Sequence, residues 1–184
     1  MIRIFPKALA TMLASAVFAF SVAAQEKTGG ITIDGKKSPI PAEWKEEAPT
    51  NRMRYAQFVL PKVAGDTRDA EIVIFKGLGG SAQANIDRWK DQFKGPDGGK
   101  IGNNAKVTEI KVAGKPALYL DMKGSYLFKS APFDPNAKAE LLENYRMLAT
   151  HVDAESIYHI RLTGPDKTVQ KYREGFEKWL ANFK

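Results

Sequence analysis

The sequence predicts a single α+β domain in which an antiparallel β-sheet of about six strands is covered by two main helices. Three pairs of segments rich in β-branched, aromatic and aliphatic residues are each joined by a short turn or loop, which is typical of β-hairpins. Two further segments repeat apolar residues at the spacing of an amphipathic helix. One of them lies between the first two hairpins, and the other ends the chain.

The first 24 residues have the pattern of a secretory signal peptide. Arg3 and Lys7 precede a run of fifteen uncharged, mostly apolar residues, and Ser21-Val22-Ala23-Ala24 offers small or compact residues at the positions that a signal peptidase reads. We expect cleavage after Ala24, with cleavage after Ala23 as the alternative, so that residues 25–184 form a freely soluble protein in the periplasm or the medium. An uncleaved anchor is disfavoured because the run is shorter than the roughly 20 residues that cross a bilayer.

Composition narrows the class of protein further. The 184 residues include no cysteine, which excludes disulfides, thiolate metal ligands and thiol chemistry. Removal of the leader lowers the formal net charge from +7 to +5 and leaves 160 residues, enough for one core and one domain. Basic residues alternate with acids, as in Lys45-Glu46-Glu47, so no nucleic-acid partner is expected. Attraction to anionic envelope polymers or lipid head groups stays open.

The first elements follow from local signals. Gly35 and two prolines punctuate the segment 31–41, which predicts an extended arm leading to Trp44, a ring that we expect to pin the arm onto the sheet. The first hairpin is predicted over 52–60 and 70–75. Ser81 is the predicted N-cap of the first helix, which ends before Gly95-Pro96 and has one apolar face formed by Ala82, Ile86, Trp89 and Phe93.

The second hairpin is predicted over 105–112 and 117–122. The segment from Gly124 to Leu141 is the least regular of the chain, and we expect an irregular loop that a short helix over 137–143 closes. Loops of this length are uncommon in compact domains unless they are functional or disordered.

The third hairpin is predicted over 145–152 and 156–163. After Gly164-Pro165-Asp166 a terminal helix is expected, with one apolar face formed by Val169, Tyr172, Phe176, Leu180 and Phe183.

Motifs for catalysis are weak in this sequence. The spacing Gly77-x-Gly79-x-x-Ala82 formally fits a dinucleotide fingerprint, but that fingerprint belongs to a parallel sheet and needs an acid at the end of the next strand. We interpret it as a turn before an N-capped helix. Neither a nucleophile elbow nor a zinc-binding His-Glu-x-x-His helix occurs. We therefore predict no catalytic residue, no cofactor, no metal and no enzyme; three or more titratable groups converging in one cleft would favour an enzyme instead.

The two histidines, His151 and His159, lie on opposite strands of the third hairpin. A register with Val152 opposite Ile157 creates one continuous apolar face and separates the histidines, so this register is expected. A shift by one residue would pair them, but it would place Arg161 among core residues. The sequence thus predicts no functional histidine pair.

Aromatic residues in the irregular segment are the candidate binding residues. Tyr126, Phe128 and Phe133 would form a partner-binding surface if the segment is functional. The alternative is that their rings form a small satellite core beneath the loop.

Several segments together resemble a known group of proteins. They are the proline-flanked Trp44, residues 52–61, Ala84-Asn85-Ile86-Asp87-Arg88-Trp89 with Gln92-Phe93, and residues 158–165. They resemble exported bacterial proteins of unknown function, whose order of elements is similar to the PsbP/Mog1-like α-β-α sandwich known from an extrinsic photosystem subunit and a nuclear-transport cofactor. The resemblance implies an antiparallel sheet between helices and docking to protein partners more often than catalysis. It transfers no functional residue.

The expected function is binding of a protein partner in the cell envelope, through a sheet edge or the 124–141 segment. The alternative is a periplasmic carrier of a small molecule or lipid. A buried cavity of several hundred Å³ lined by aliphatic side chains would favour a carrier, whereas a filled core with an exposed aromatic patch would favour docking. The sequence leaves the oligomeric state open.

Overall fold

The computed structural model describes residues 29–129 and 136–184. The predicted signal peptide over 1–24 and the candidate residue Phe133 lie outside these ranges. No helix in the described part of the chain is long and apolar enough to cross a membrane.

The described residues form an α+β domain, as predicted, but with more than six strands. Eight strands make one antiparallel sheet in the order β3-β4-β5-β10-β9-β8-β6, in which β7 also pairs with β8, while β1 and β2 form a separate hairpin. The elements are β1 Gly30–Ile33, β2 Lys36–Pro39, β3 Lys45–Glu47, β4 Arg54–Leu60, β5 Ala70–Lys76, α1 Ala82–Lys90, β6 Phe93–Lys94, β7 Ala105–Val112, β8 Lys115–Phe128, β9 Glu140–Asp153, β10 Ile157–Pro165 and α2 Asp166–Ala181, with a single 3-10 turn over Gly102–Asn104.

Helix α2 covers the first face of the sheet. Its apolar residues pack on the inward side chains of β4, β5, β9 and β10, and Phe183 joins this core although it lies just beyond the end of the helix. Trp44 is fully buried there, with its ring centroid 5.7 Å from that of Phe58 and 5.2 Å from that of Trp179. The prediction that Trp44 pins the N-terminal arm is confirmed.

Helix α1 covers part of the second face, against β8 and β9. Ser81 is its N-cap, as predicted, and the Ser81 hydroxyl accepts a hydrogen bond from the Ala84 amide at 3.2 Å. The helix ends at Lys90, so the prediction that Phe93 lies on it is wrong. Phe93 instead pairs with Tyr126 as part of strand β6, because β8 continues far enough to offer it a strand partner.

The prediction of an extended arm is also wrong, and the prediction of an irregular loop is wrong in part. The extended arm over 31–41 is a hairpin, in which Asp34 and Gly35 form the turn with φ of 54° and 71°; Asp-Gly between alternating residues is a strong hairpin signal. The segment from Gly124 to Leu141 is strand at its two ends, residues 124–128 in β8 and 140–141 in β9, because these strands continue their pairing as far as Phe128 and Glu140. Residues 129 and 136–139 are irregular, as predicted, and the rest of the segment lies outside the described residues. The short helix predicted over 137–143 is therefore absent, and Glu140–Glu143 belongs to β9.

The register of β9 with β10 differs from the prediction by one residue. His151 lies opposite His159, and Arg161 lies opposite Ala149. The prediction assumed one buried face, but buried residues occur on both faces of β9. Leu148 and Val152 pack towards α2, and Met147 and Ala149 pack towards α1, so apolar residues occur on both sides.

Candidate functional site

The second face of the sheet is covered unevenly, and this creates a cleft. Helix α1 packs on β8, β9 and, through Trp89, on His159 of β10, and it leaves uncovered the same face of β4, β5 and the part of β10 around Arg161 and Thr163. We call the extended ends of β8 and β9, residues 124–128 and 140–145, the β8–β9 extension. This extension forms one wall of a cleft of about 820 Å³. A volume of this size lies within the range of ligand-binding pockets, about 300–1,000 Å³.

The lining combines aromatic and charged side chains. The floor comes from alternate residues of β5 and β10, which point away from α2 because successive side chains of a strand lie on opposite faces. The loop over 50–54, residues 68–69 and the end of α1 complete the walls. The lining residues of the floor are Glu71, Val73, Phe75, Arg161 and Thr163, and those of the β8–β9 extension are Tyr126, Leu127, Phe128, Leu142 and Tyr145.

Arg161 is the most unusual residue of the floor. Its Nη1 donates a hydrogen bond to Gln92 Oε1 at 3.3 Å, and its guanidinium lies over the Phe75 ring, 5.1 Å from the centroid. Its Nε is buried and has no hydrogen-bond partner among the described residues. Burial lowers the pKa of Arg161, and the positive charges of Arg54 and Arg88 lower it further. A guanidinium is not deprotonated in proteins, so the group is charged.

The other two arginines of the cleft have carboxylate partners. Arg54 forms an ion pair with Glu71 and donates to Gln57 Oε1 at 2.8 Å. Arg68 donates to both carboxylate oxygens of Glu140 at 2.9 Å. In the described structure Arg161 therefore differs from both, since it forms no ion pair within 4 Å.

Two of the three predicted binding residues line this cleft. Tyr126 lies between other rings, with its centroid 5.1 Å from that of Phe93 and 5.9 Å from that of Tyr145 in a stacked arrangement. Burial raises the pKa of Tyr126. Phe128 lies nearer the rim, where the Arg68 guanidinium is 5.3 Å from its ring centroid. Both residues belong to strand β8 rather than to an irregular loop, and Phe133 lies outside the described residues.

The histidine pair, which the predicted register separated, lies deep on the α1 side of the sheet. The two rings are 5.1 Å apart between centroids, and the His159 ring meets Trp89 edge-on at 5.5 Å. His151 Nδ1 and His159 Nε2 are buried without a hydrogen-bond partner in the described part of the chain. Burial lowers the pKa of His159 to about 4, and the charges of His151, Arg88 and Arg161 add to this effect. Within residues 29–129 and 136–184 no group of three or more His, Cys, Asp and Glu side chains could hold a metal ion.

Sequence reasoning found Tyr126 and Phe128 but missed Arg161 and the arginines around it. The signal was present: an arginine stands between isoleucine and leucine in a central strand. A charged residue in such a strand must be paired, exposed to a cleft or functional, because burial of an isolated charge is costly.

No protein-family model matches this chain, and no curated protein sequence matches it. Among solved structures the chain is similar to cyanobacterial PsbP (CyanoP) from Synechocystis sp. PCC 6803, with 10% identity, coverage of 82% of this chain and 86% of the other, and a TM-score of 0.47. It is also similar to LpqN, involved in cell envelope biogenesis of Mycobacterium tuberculosis, with 14% identity, coverage of 74% and 75%, and a TM-score of 0.41. The cyanobacterial protein belongs by its name to the fold group that the sequence resembles, and the likeness concerns the fold alone.

Proposed function

We propose that this protein is exported, is not an enzyme, and binds a protein partner of the cell envelope in the cleft between the β8–β9 extension and the uncovered half of the sheet. The observation that carries the proposal is the cleft of about 820 Å³, whose walls present Tyr126, Phe128, Arg54 and Arg68. Tyrosine and arginine are enriched among the residues that supply most of the binding energy in protein interfaces.

The composition of the lining favours a protein partner over a lipid. The aliphatic or thioether side chains among the described lining residues are Met53, Val73, Leu127 and Leu142, and the others are polar, charged or aromatic. Away from the cleft, the spaces beneath α2 and α1 are filled by two packed clusters of buried side chains. A lipid carrier would need an enclosed, mainly aliphatic cavity, whereas this cleft has a mixed lining and charged walls.

A carrier of a small molecule is the second candidate. The volume of the cleft supports it, because a drug-sized ligand would fit. The two functions differ in the size of the bound species, so one experiment can separate them.

Catalysis is the third candidate, because the cleft gathers more than three titratable groups. Glu71, however, is engaged by Arg54 in an ion pair. The histidines are not lining residues of the cleft. A general base must reach the proton that it removes, within about 3.2 Å or through one water. Binding therefore explains the arrangement better than acid–base chemistry does.

Photocrosslinking tests the proposal. The photoreactive residue p-benzoylphenylalanine replaces Phe128 at the rim of the cleft and, as a control, Val107, which is 37% exposed on β7 and does not line the cleft. After irradiation of cells that produce each variant, we expect protein adducts at position 128 and none at 107. An adduct of only a few hundred daltons in the intact mass would favour the carrier. Equal adducts at both positions, or none at 128, would contradict the proposal.

Export has its own test, because the leader is proposed from its sequence. The mass of the protein recovered from the envelope or the medium should correspond to residues 25–184, with Gln25 as the first residue. A protein that retains Met1, or that stays in the cytoplasm, would contradict export while leaving the cleft proposal intact.

A further inference from the structure

The unpaired arginine on the floor of the cleft indicates what the partner must offer. Arg161 is held in place on two sides, by the hydrogen bond from its Nη1 to Gln92 and by the Phe75 ring beneath its guanidinium plane. A guanidinium carries five N–H donors. Among the described residues, Arg161 donates one hydrogen bond, to Gln92. Most of its N–H donors are therefore unused.

The charges close to Arg161 do not neutralise it. Arg54 and Arg88 act on it with the same sign, and Glu71, the acid that acts on it, already forms an ion pair with Arg54. Two more acids line the cleft, Asp69 and Asp91. Asp69 accepts the Lys62 amide at 2.9 Å, Asp91 follows the last residue of α1, and neither lies within ion-pair distance of Arg161. The floor around Arg161 is therefore positive.

A carboxylate matches this site better than a neutral group. Arginine binds carboxylates through two parallel N–H···O bonds in a fixed planar geometry, and a charge-assisted bond in a desolvated site is about twice as strong as a neutral one. Tyr126 lies near enough to Arg161 to act on its charge, and Phe128 lies next to Tyr126, with 6.4 Å between the ring centroids. The two rings offer apolar surface to the residue next to the carboxylate.

We infer that the cleft recognises an acidic segment of its protein partner, in which a Glu or Asp carboxylate binds the Arg161 guanidinium and a neighbouring apolar side chain packs on Tyr126 and Phe128. The inference rests on the proposed function and adds the chemistry of the partner. Arg161 is then the residue that determines specificity, and the aromatic wall contributes affinity to acidic and neutral segments alike.

Selection of displayed random peptides on the immobilised protein, produced from the full-length chain, tests this inference. We expect the enriched peptides to carry Glu or Asp beside an apolar residue. Replacing that acid by its amide in a synthetic peptide should weaken binding on the order of tenfold or more, because the buried charge then loses its partner.

The matched variants are Arg161→Gln and Arg52→Gln, which remove the same charge. Arg52 is exposed and does not line the cleft. We expect Arg161→Gln to lose the preference for acidic peptides and Arg52→Gln to keep it. Phe128→Ala should lower the affinity for acidic and neutral peptides equally. If Arg161→Gln does not fold, the affinities of the acidic peptide and of its amide for the unaltered protein still test the inference.

The outcomes separate the inference from the proposed function. If the enriched peptides bind in a way that depends on Phe128 but are not rich in acidic residues, the carboxylate assignment is overturned and docking stays intact. A phosphoserine peptide that binds more tightly than its glutamate counterpart would also overturn it, in favour of phosphate. A failure to enrich any peptide would overturn the inference together with the docking proposal.

Discussion

The buried histidine pair predicts that this protein loses stability in mildly acidic solution. His159 is 2% exposed, and its pKa is lowered to about 4 from an ordinary value of 6.5. A group with a lowered pKa binds fewer protons in the folded than in the unfolded protein. For a histidine this means that the full stability is present above about pH 6.5 and is lost as the pH falls towards about 4.

The size of the loss follows from the difference of the two pKa values. The whole difference corresponds to about 3 kcal/mol, since one unit is about 1.4 kcal/mol. Between about pH 7.5 and about pH 5 the linkage relation gives a loss of about 2 kcal/mol from His159. The groups that act on His159 are His151, Arg88 and Arg161, all of which disfavour its charged form.

Urea unfolding of the protein and of His159→Phe across this pH range measures the effect. Because carboxylates titrate in both proteins, the difference between their two profiles of unfolding free energy against pH gives the contribution of His159. We expect the unaltered protein to lose about 2 kcal/mol more than the variant between about pH 7.5 and about pH 5. Parallel profiles, or a His159 ring that titrates near pH 6.5 in the folded protein by NMR, would refute the reasoning.

Three substitutions test the packing that supports the cleft. Trp44→Ala removes a fully buried ring between α2 and β4 and should lower the free energy of unfolding by about 3–5 kcal/mol. Gly164→Ala places a Cβ 2.5 Å from the Ala70 Cβ and should cost about 1–3 kcal/mol, because neither strand can move freely. Asp121→Asn weakens two hydrogen bonds of 2.7 Å from Arg146 and should cost roughly 2–3 kcal/mol, since Arg146 keeps only Asp166 as a charged partner, at 3.2 Å, and Arg173 also loses the Asp121 charge. All three changes in stability are measured from the urea concentration at the midpoint of unfolding, provided that the slope of free energy against urea concentration is unchanged.

Control variants give these values a reference. Gly79→Ala adds a Cβ that meets nothing within 4 Å and should change the stability by less than about 0.5 kcal/mol. Glu174→Gln removes an exposed ion pair with Lys178 and should leave the urea midpoint nearly unchanged. If Gly164→Ala or Asp121→Asn costs no more than its control, the corresponding contact does not stabilise the fold.

Local patterns in the sequence predicted those elements that local interactions determine. Ser81 begins α1 as an N-cap, and β7 runs over Ala105–Val112 as predicted, because capping and alternation act over a few residues. Phe93 shows where such reasoning ends. It has the spacing of the helix face, but pairing with Tyr126 across 33 positions of the chain places it in a strand.

The candidate site could be predicted only in part, for the same reason. Tyr126 and Phe128 were expected to bind a partner, and both line the cleft. The prediction rejected the register that occurs, because that register places Arg161 opposite Ala149. It assumed one buried face and did not anticipate buried residues on both faces of β9. The cleft exists because α1 covers one half of the second face and not the other, a property of the packing of distant elements that no short pattern encodes.

The most direct test of the central claim, that the half-covered face of the sheet binds the partner, is an NMR titration of the protein with an acidic peptide from the display selection. We predict that the largest shifts affect the Nε–H of Arg161 and the amides of Val73, Phe75 and Thr163 on the floor of the cleft. Shifts concentrated instead on β7, around Val107, or on the β1–β2 hairpin would contradict the claim.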